Sequence, residues 1–281
     1  KDAGSTSQGA NSVAMGNLAG NSGQLVSSVA IGDSAGQINQ GTLSVAIGHD
    51  AGTTTQGTKS IAMGNLAGNI GQLVSSVAIG DEAGKTTQGT LAVAIGKDAG
   101  KTTQGTNSVA MGNLAGNSSQ LVSSVAIGDS AGQTTQGSLA VAIGKSSGTT
   151  SQGANSVAMG NLAGNTGQLV SSVAIGDSSG QTTQGTLSVA IGKNAGKSSQ
   201  STSSVSIGDS AGQTTQGTLA VAIGKDAGST SQGANSVAMG NLAGNSGQLV
   251  SSVAIGDSAG QTNQGTLAIA IGKNAGATAQ G

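Results

Sequence analysis

A glycine recurs every sixteen residues from Gly16 to Gly272, and each closes a motif of the Ser-Val-Ala-Ile-Gly type, with no insertion or deletion between copies. A strict short period constrains a chain more than its composition does, because each copy must take the same local shape and bury itself against its neighbours. Sixteen residues are too few for the known helical repeat units, and the Val, Ile and Thr of each copy favour strands. Within the first copy, Val13 and Met15 alternate with Ser12 and Ala14, the period of a strand with two unlike faces.

Further columns keep the same phase. A second glycine stands four residues after the first, from Gly4 to Gly276, and a glutamine eight residues after it, from Gln8 to Gln280. All 51 glycines fall in four columns: these two, one after the glutamine such as Gly41, and one just before it such as Gly23. Glycine reaches positive φ at no steric cost, so these columns mark corners. Each copy therefore reads as one coil of two short strands and two turns. The array is expected to be an all-β parallel β-solenoid, or β-roll, of about 17 coils of 16 residues each. Stacked at about 4.8 Å per coil, it would form a rod.

Composition alone would also describe a disordered low-complexity chain, and the phase of the columns decides against it. Aromatic residues, proline and cysteine are absent and only 7% of residues are charged. A disordered chain has no reason to hold Gln and Gly in phase, whereas a stack does. A net charge of −1 gives no basic stripe for nucleic acid. No apolar run is long enough to insert in a bilayer. The chain runs from Lys1 to Gly281 with no divergent coil, so residues 1–281 read as one continuous, uncapped array within a longer fibre.

A 48-residue cycle lies over the 16-residue one. The residue after the first glycine runs Asn17, Asp33, His49, then Asn65, Asp81, Lys97, then Asn113, Asp129, Lys145, then Asn161, Asp177, Lys193. Stacking then never sets Asp beside Asp, as an in-register ladder requires. One coil is missing from the cycle, since Asp209 follows Lys193 and Lys225 and Asn241 come next.

The Val/Ile/Met columns are expected to form the core. On the opposite strand face, Ala14, Ala30, Ala46 and their equivalents, broken by Ser206, make a small-residue stripe expected to face outward and pack against another chain. The glutamines are expected to form an internal amide ladder or brace the turns. The exposed hydroxyl column, Ser22, Thr54, Thr86, Thr102, Thr134, Thr150, Thr166 and Thr182, is interrupted by Ile38 and Ile70 and flanked by Lys85 and Lys101.

Catalytic, cofactor and metal sites are not expected. His49 occupies a Lys column and has no Cys or carboxylate at metal spacing, and the acids match neither a calcium nonapeptide nor an EF-hand loop. Gly16 to Gly20 lacks the G-K-[ST] of a phosphate loop. A glycosidase on a parallel β-helix would need clustered carboxylates rather than acids interleaved with lysine.

The recurring S-V-A-I-G-x-x-A-G, as in Ser28 to Gly36 and Ser124 to Gly132, resembles the head repeats of YadA-type trimeric autotransporter adhesins and related viral fibre repeats. The resemblance implies a left-handed roll, three identical chains side by side, and attachment to a surface. It would make the Ala stripe the inter-chain face, and would place the chain outside the cell, on a cell surface or a virion. This chain adds an x-x-x-Gln-Gly segment to the shorter repeat of that family. The competing expectation is an ice-binding solenoid that uses the Ser/Thr column.

Overall fold

The computed structural model describes residues 1–279, and Gln280, the last of the glutamine column, lies outside them. It comprises two compact units, Lys1–Leu139 and Ala140–Gly281. Among the described residues the secondary structure is strand and turn without helix, and each unit is a parallel β-solenoid.

In the first unit, the Val-Ala-Ile segment of every coil forms a three-residue strand: Val13–Met15, Val29–Ile31, Val45–Ile47, Ile61–Met63, Val77–Ile79, Val93–Ile95, Val109–Met111 and Val125–Ile127. Successive strands are parallel and offset by sixteen residues, so that Ala30 pairs with Ala14 and Ala46. These strands build the first wall. The second wall is shorter, with strands Thr87–Gln88, Thr103–Gln104, Ser119–Gln120 and Thr135–Gln136, and with single bridges such as Gln40 to Gln56 where no strand forms.

The second unit repeats the plan. Its first wall runs from Val141–Ile143 through Val205–Ile207 to Ile269–Ile271, again with a sixteen-residue offset. Its second wall contains Ser151–Gln152, Thr183–Gln184, Ser199–Gln200, Thr215–Gln216 and Ser231–Gln232.

Backbone bonding between coils continues through the corners. Val29 N donates to Ser44 O at 2.9 Å in the first wall, Ser34 N to Asn17 O at 2.8 Å in the corner, and Gly41 N to Gln56 O at 2.8 Å beyond the second wall. Backbone groups that a turn would otherwise leave unpaired thus find partners in the adjacent coil. The glycine columns follow from that closeness. A Cβ on Gly48 would lie 2.5 Å from the carbonyl oxygen of Gly64, and one on Gly116 would lie 2.7 Å from the Oε1 of Gln120.

The structure reverses the expected sidedness of the strand. Ala30, Ala46, Ala62, Ala78 and their equivalents are wholly buried, while Met63, Met111, Met159 and Met239 keep 38–39% of their surface exposed. The Val/Ile/Met columns are therefore an outer face, and the Ala stripe lines the lumen. Lumen width is the cause. A Cβ added to Gly116 at the corner would stand 3.2 Å from the Cβ of Ala110, so the lumen beside that corner accepts a methyl group and not a branched side chain.

What fills the lumen is Ala, Ser and Gln. Gln40 is fully buried and donates from Nε2 to the Val29 carbonyl at 2.6 Å; Gln120 reaches Val109 O in the same way at 2.7 Å. Each such bond spans one coil from wall to wall. Part of the column is also an amide ladder, with Nε2 of Gln72 donating to Oε1 of Gln88 and Gln88 to Gln104, both at 3.1 Å. Of the two expected roles, the turn brace recurs, as where Gln120 Nε2 also donates to Ser124 O at 3.2 Å, the ladder is confined to part of the column, and the transverse bond to the first wall is the addition. Buried serines close the corner before most first-wall strands, as where Ser28 Oγ donates to Leu25 O at 2.7 Å, and Ala92, Ala140, Ala220 and Ala268 take that position in the other coils.

Candidate interaction surfaces

Three exposed surfaces emerge from this arrangement. The first is the outer side of the first wall, a ladder of Val, or Ile at Ile61 and Ile269, with Ile or Met two residues on in every coil. It adjoins a corner where Leu25 and Val26, Leu73 and Val74, Leu121 and Val122, Leu169 and Val170, and Leu249 and Val250 are 44–52% exposed. Soluble monomers seldom expose contiguous apolar patches beyond about a few hundred Å². The Val/Ile/Met columns are the side chains expected in the core; their outward position follows from the narrow lumen.

The second surface is the outer side of the second wall. Thr54, Thr86, Thr102, Thr134, Thr150, Thr166 and Thr182 are exposed as expected, and Ser22 is half-buried. A neighbouring hydroxyl column stacks in register, Thr87 on Thr103 and Ser119 on Thr135. Ile38 and Ile70 are 42% and 48% exposed within the first column and break its chemistry.

The third is the polar ladder at the glycine corner. Asn17 Nδ2 donates to Asp33 Oδ1 at 2.9 Å, and the same bond recurs from Asn65 to Asp81, Asn113 to Asp129, Asn161 to Asp177 and Asn241 to Asp257 at 2.8–3.0 Å. The Asn of the 48-residue cycle thus serves the Asp of the next coil. His49 is exposed, its Nδ1 3.1 Å from Asp50 Oδ2. No group of three metal-ligating side chains occurs among the described residues.

One ionic cluster was not legible in the sequence. Lys101 Nζ lies 2.5 Å from Glu82 Oε2 and 2.9 Å from Asp98 Oδ1, and Lys85 Nζ lies 3.3 Å from Glu82 Oε1. The Lys101 ammonium holds the Glu82 carboxyl below its usual range, while burial opposes the shift and Lys85 reinforces it. Glu82 in turn raises Lys101, with Asp98 assisting. The cluster unites two columns of adjacent coils.

No helix among the described residues is long and apolar enough to cross a membrane. A comparison of the chain with curated proteins found no match. Residues 40–67, 88–115 and 216–243, three segments of 28 residues, match the family model of the YadA head domain repeat (2 copies). Each segment spans two first-wall strands and the corner glycines between them, the part of the coil that carries S-V-A-I-G-x-x-A-G. In these segments, a parallel solenoid whose small residues face inward is similar to the YadA head domain repeat.

Proposed function

We propose that this chain is a non-catalytic segment of an adhesive fibre, displayed outside the cell on a cell surface or virion, and that it assembles as a trimer through the Val/Ile/Met face of its first wall. The observation that carries this reading is the inversion of the strand. Ala fills the lumen, so an unbroken ladder of large apolar side chains is left in water. Covering that ladder with further copies removes it from solvent at about 25 cal/mol per Å². The expected Ala-stripe interface is excluded, because the stripe is buried inside each coil. The family of the matched repeats supports the trimer and the surface location.

Sedimentation equilibrium tests the proposal. The expected mass is three times the 26.2 kDa of the chain, and a mass of 26.2 kDa overturns it. Met111→Lys with Ile127→Lys, both on the outer face, should return the chain to a folded monomer with unchanged circular dichroism.

Ice binding is a second reading, supported by the in-register hydroxyl ladder of the second wall. Its test is thermal hysteresis. A signal abolished by Thr87→Lys with Thr103→Lys, positions remote from the apolar face, would establish it in place of a plain solvated surface.

A further inference from the structure

The corner beside the apolar face holds leucines that the coil itself does not need. Leu43, Leu91, Leu139, Leu187, Leu219 and Leu267 all take left-handed backbone angles, φ +57 to +61, and their side chains are 53–73% exposed. Left-handed backbone is costly for a residue with a Cβ, and an exposed side chain offers nothing within the chain to offset it. Glycine, asparagine or serine would serve the turn better, and Ser27, Asn107 and Ser75 do so in other coils. The leucines must therefore answer to something outside the chain.

Their spacing identifies it. Leu43 sits one coil beyond Val26 and is bonded to it through the backbone at 3.1 Å; Leu91 and Val74 repeat the arrangement at 3.0 Å. Each Leu-Val-Leu knob recurs after three coils in the first unit, in step with Met15, Met63 and Met111 on the first wall. A surface that meets such knobs coil after coil must itself repeat at the coil rise with a three-coil cycle. Another copy of this chain does so, and a globular partner does not.

The Val/Ile ladder alone would let two copies slide by one coil, since every coil presents nearly the same pair. Knobs and methionines forbid slips of one or two coils, but in residues 1–139 a slip of three restores every match. Residues 140–281 lack that degeneracy. The missing coil sets Met159 and Met239 five coils apart, so a three-coil slip puts Met159 level with Ile207, and Met239 level with Ile191. The knob is also lost there, with Ser201 and Thr202 where Leu and Val stand elsewhere.

We infer that the interrupted 48-residue cycle is a register key: parallel copies associate through the apolar face and its leucine knobs at zero axial stagger, and the missing coil excludes the three-coil slip. This rests on the self-association proposed above, and the test separates the two. The chain has no cysteine, so single thiols report cleanly. Val77→Cys, Val93→Cys and Val125→Cys place one on the outer face at coils one and three apart. Pairs of these variants carrying different tags are co-expressed, and the assembly is treated with a bismaleimide shorter than three coil rises.

In an assembly shown by sedimentation to be oligomeric, Val125→Cys should link to itself with at least about ten times the yield of its links to Val77→Cys. Inserting a copy of residues 105–120 after Gln200, together with Ser201→Leu and Thr202→Val, restores the unbroken cycle, and the Val77→Cys to Val125→Cys product should then rise severalfold. Comparable self-linked and cross-linked yields in the natural sequence, no self-linking at all, or no response to the insertion would overturn the register key while self-association stands. A monomer would overturn both.

Discussion

The lumens of the two units share two alanine columns, yet only in the second unit do those columns admit serine. Residues 1–139 carry Ala at every buried position of both columns. Residues 140–281 replace it with Ser147, Ser179 and Ser206, all fully buried. Each of these hydroxyls has a partner: Ser147 donates to Ala158 O at 2.7 Å, Ser179 to Ala190 O at 2.8 Å and Ser206 to Gln216 Oε1 at 2.6 Å. The lumen therefore selects first on volume, and admits one extra polar atom where an acceptor awaits it. Ser206 also supplies what most of the column lacks. Gln216 Oε1 accepts a bond there, whereas Oε1 of Gln120 is buried without one.

The comparison can be broken most severely at Ala110 in the first unit. Ala110→Val should cost about 3 kcal/mol, since two methyl groups must enter the crowded space between Ala110 and the Gly116 corner. Urea unfolding measures the loss, and hydrogen exchange should place it around Val109–Met111. A cost near zero would mean that the walls can part, and the explanation of the inverted strand would fail.

Removing the transverse glutamine should come next. Gln120→Leu loses the bond to Val109 O and should destabilise by about 2 kcal/mol, and Gln216→Leu by about 1 kcal/mol more, because it also strands the Ser206 hydroxyl. Equal losses in urea titrations of the two variants would show that Ser206 adds nothing.

The serine itself gives a smaller, reciprocal pair. Ser206→Ala should cost about 1 kcal/mol, and Ala110→Ser should stabilise the first unit by about as much by meeting Gln120 Oε1. Thermal melts of both variants at matched concentration test the sign; destabilisation by Ala110→Ser would confine the serine to the second unit.

The least effect distinguishes the units by pH. The Glu82 carboxyl is depressed in the folded state, so its stabilisation is present above the unfolded carboxylate pKa and is lost as pH falls through the folded one. Lys101 is raised, so its share holds below its unfolded pKa and is lost as pH rises through the folded one. The groups are partly solvated, which reduces the pair to about half a kcal/mol. The protection factor against hydrogen exchange at Glu82 should fall on acidification more than in Glu82→Gln, and identical acid responses would show the ion pairs to be idle.

Much of the fold was legible because repetition turns one coil's preferences into a column. The sixteen-residue coil, its glycine corners, the parallel register and the buried glutamines all follow from residues that keep phase. The ion cluster was not legible: Glu82 and Lys101 lie in different columns and different coils, and only the corner's path brings them together. Neither were the leucine knobs, since nothing in the letters around Leu43 announces a left-handed turn. The candidate surface was found in the right strand and assigned to the wrong side of it.

That last point separates the two sources. The sequence by itself determined that Val and Ile share one side of the strand and Ala the other, and that each column stacks on itself, because a period of two and a period of sixteen admit no other arrangement. It did not determine which side faces in, because alternation carries no sign. Hydrophobicity argued for Val and Ile inside. Only the closed coil, with glycine corners that crowd the alanine methyls and a glutamine amide spanning the walls, made volume outweigh hydrophobicity and turned the larger side chains outward.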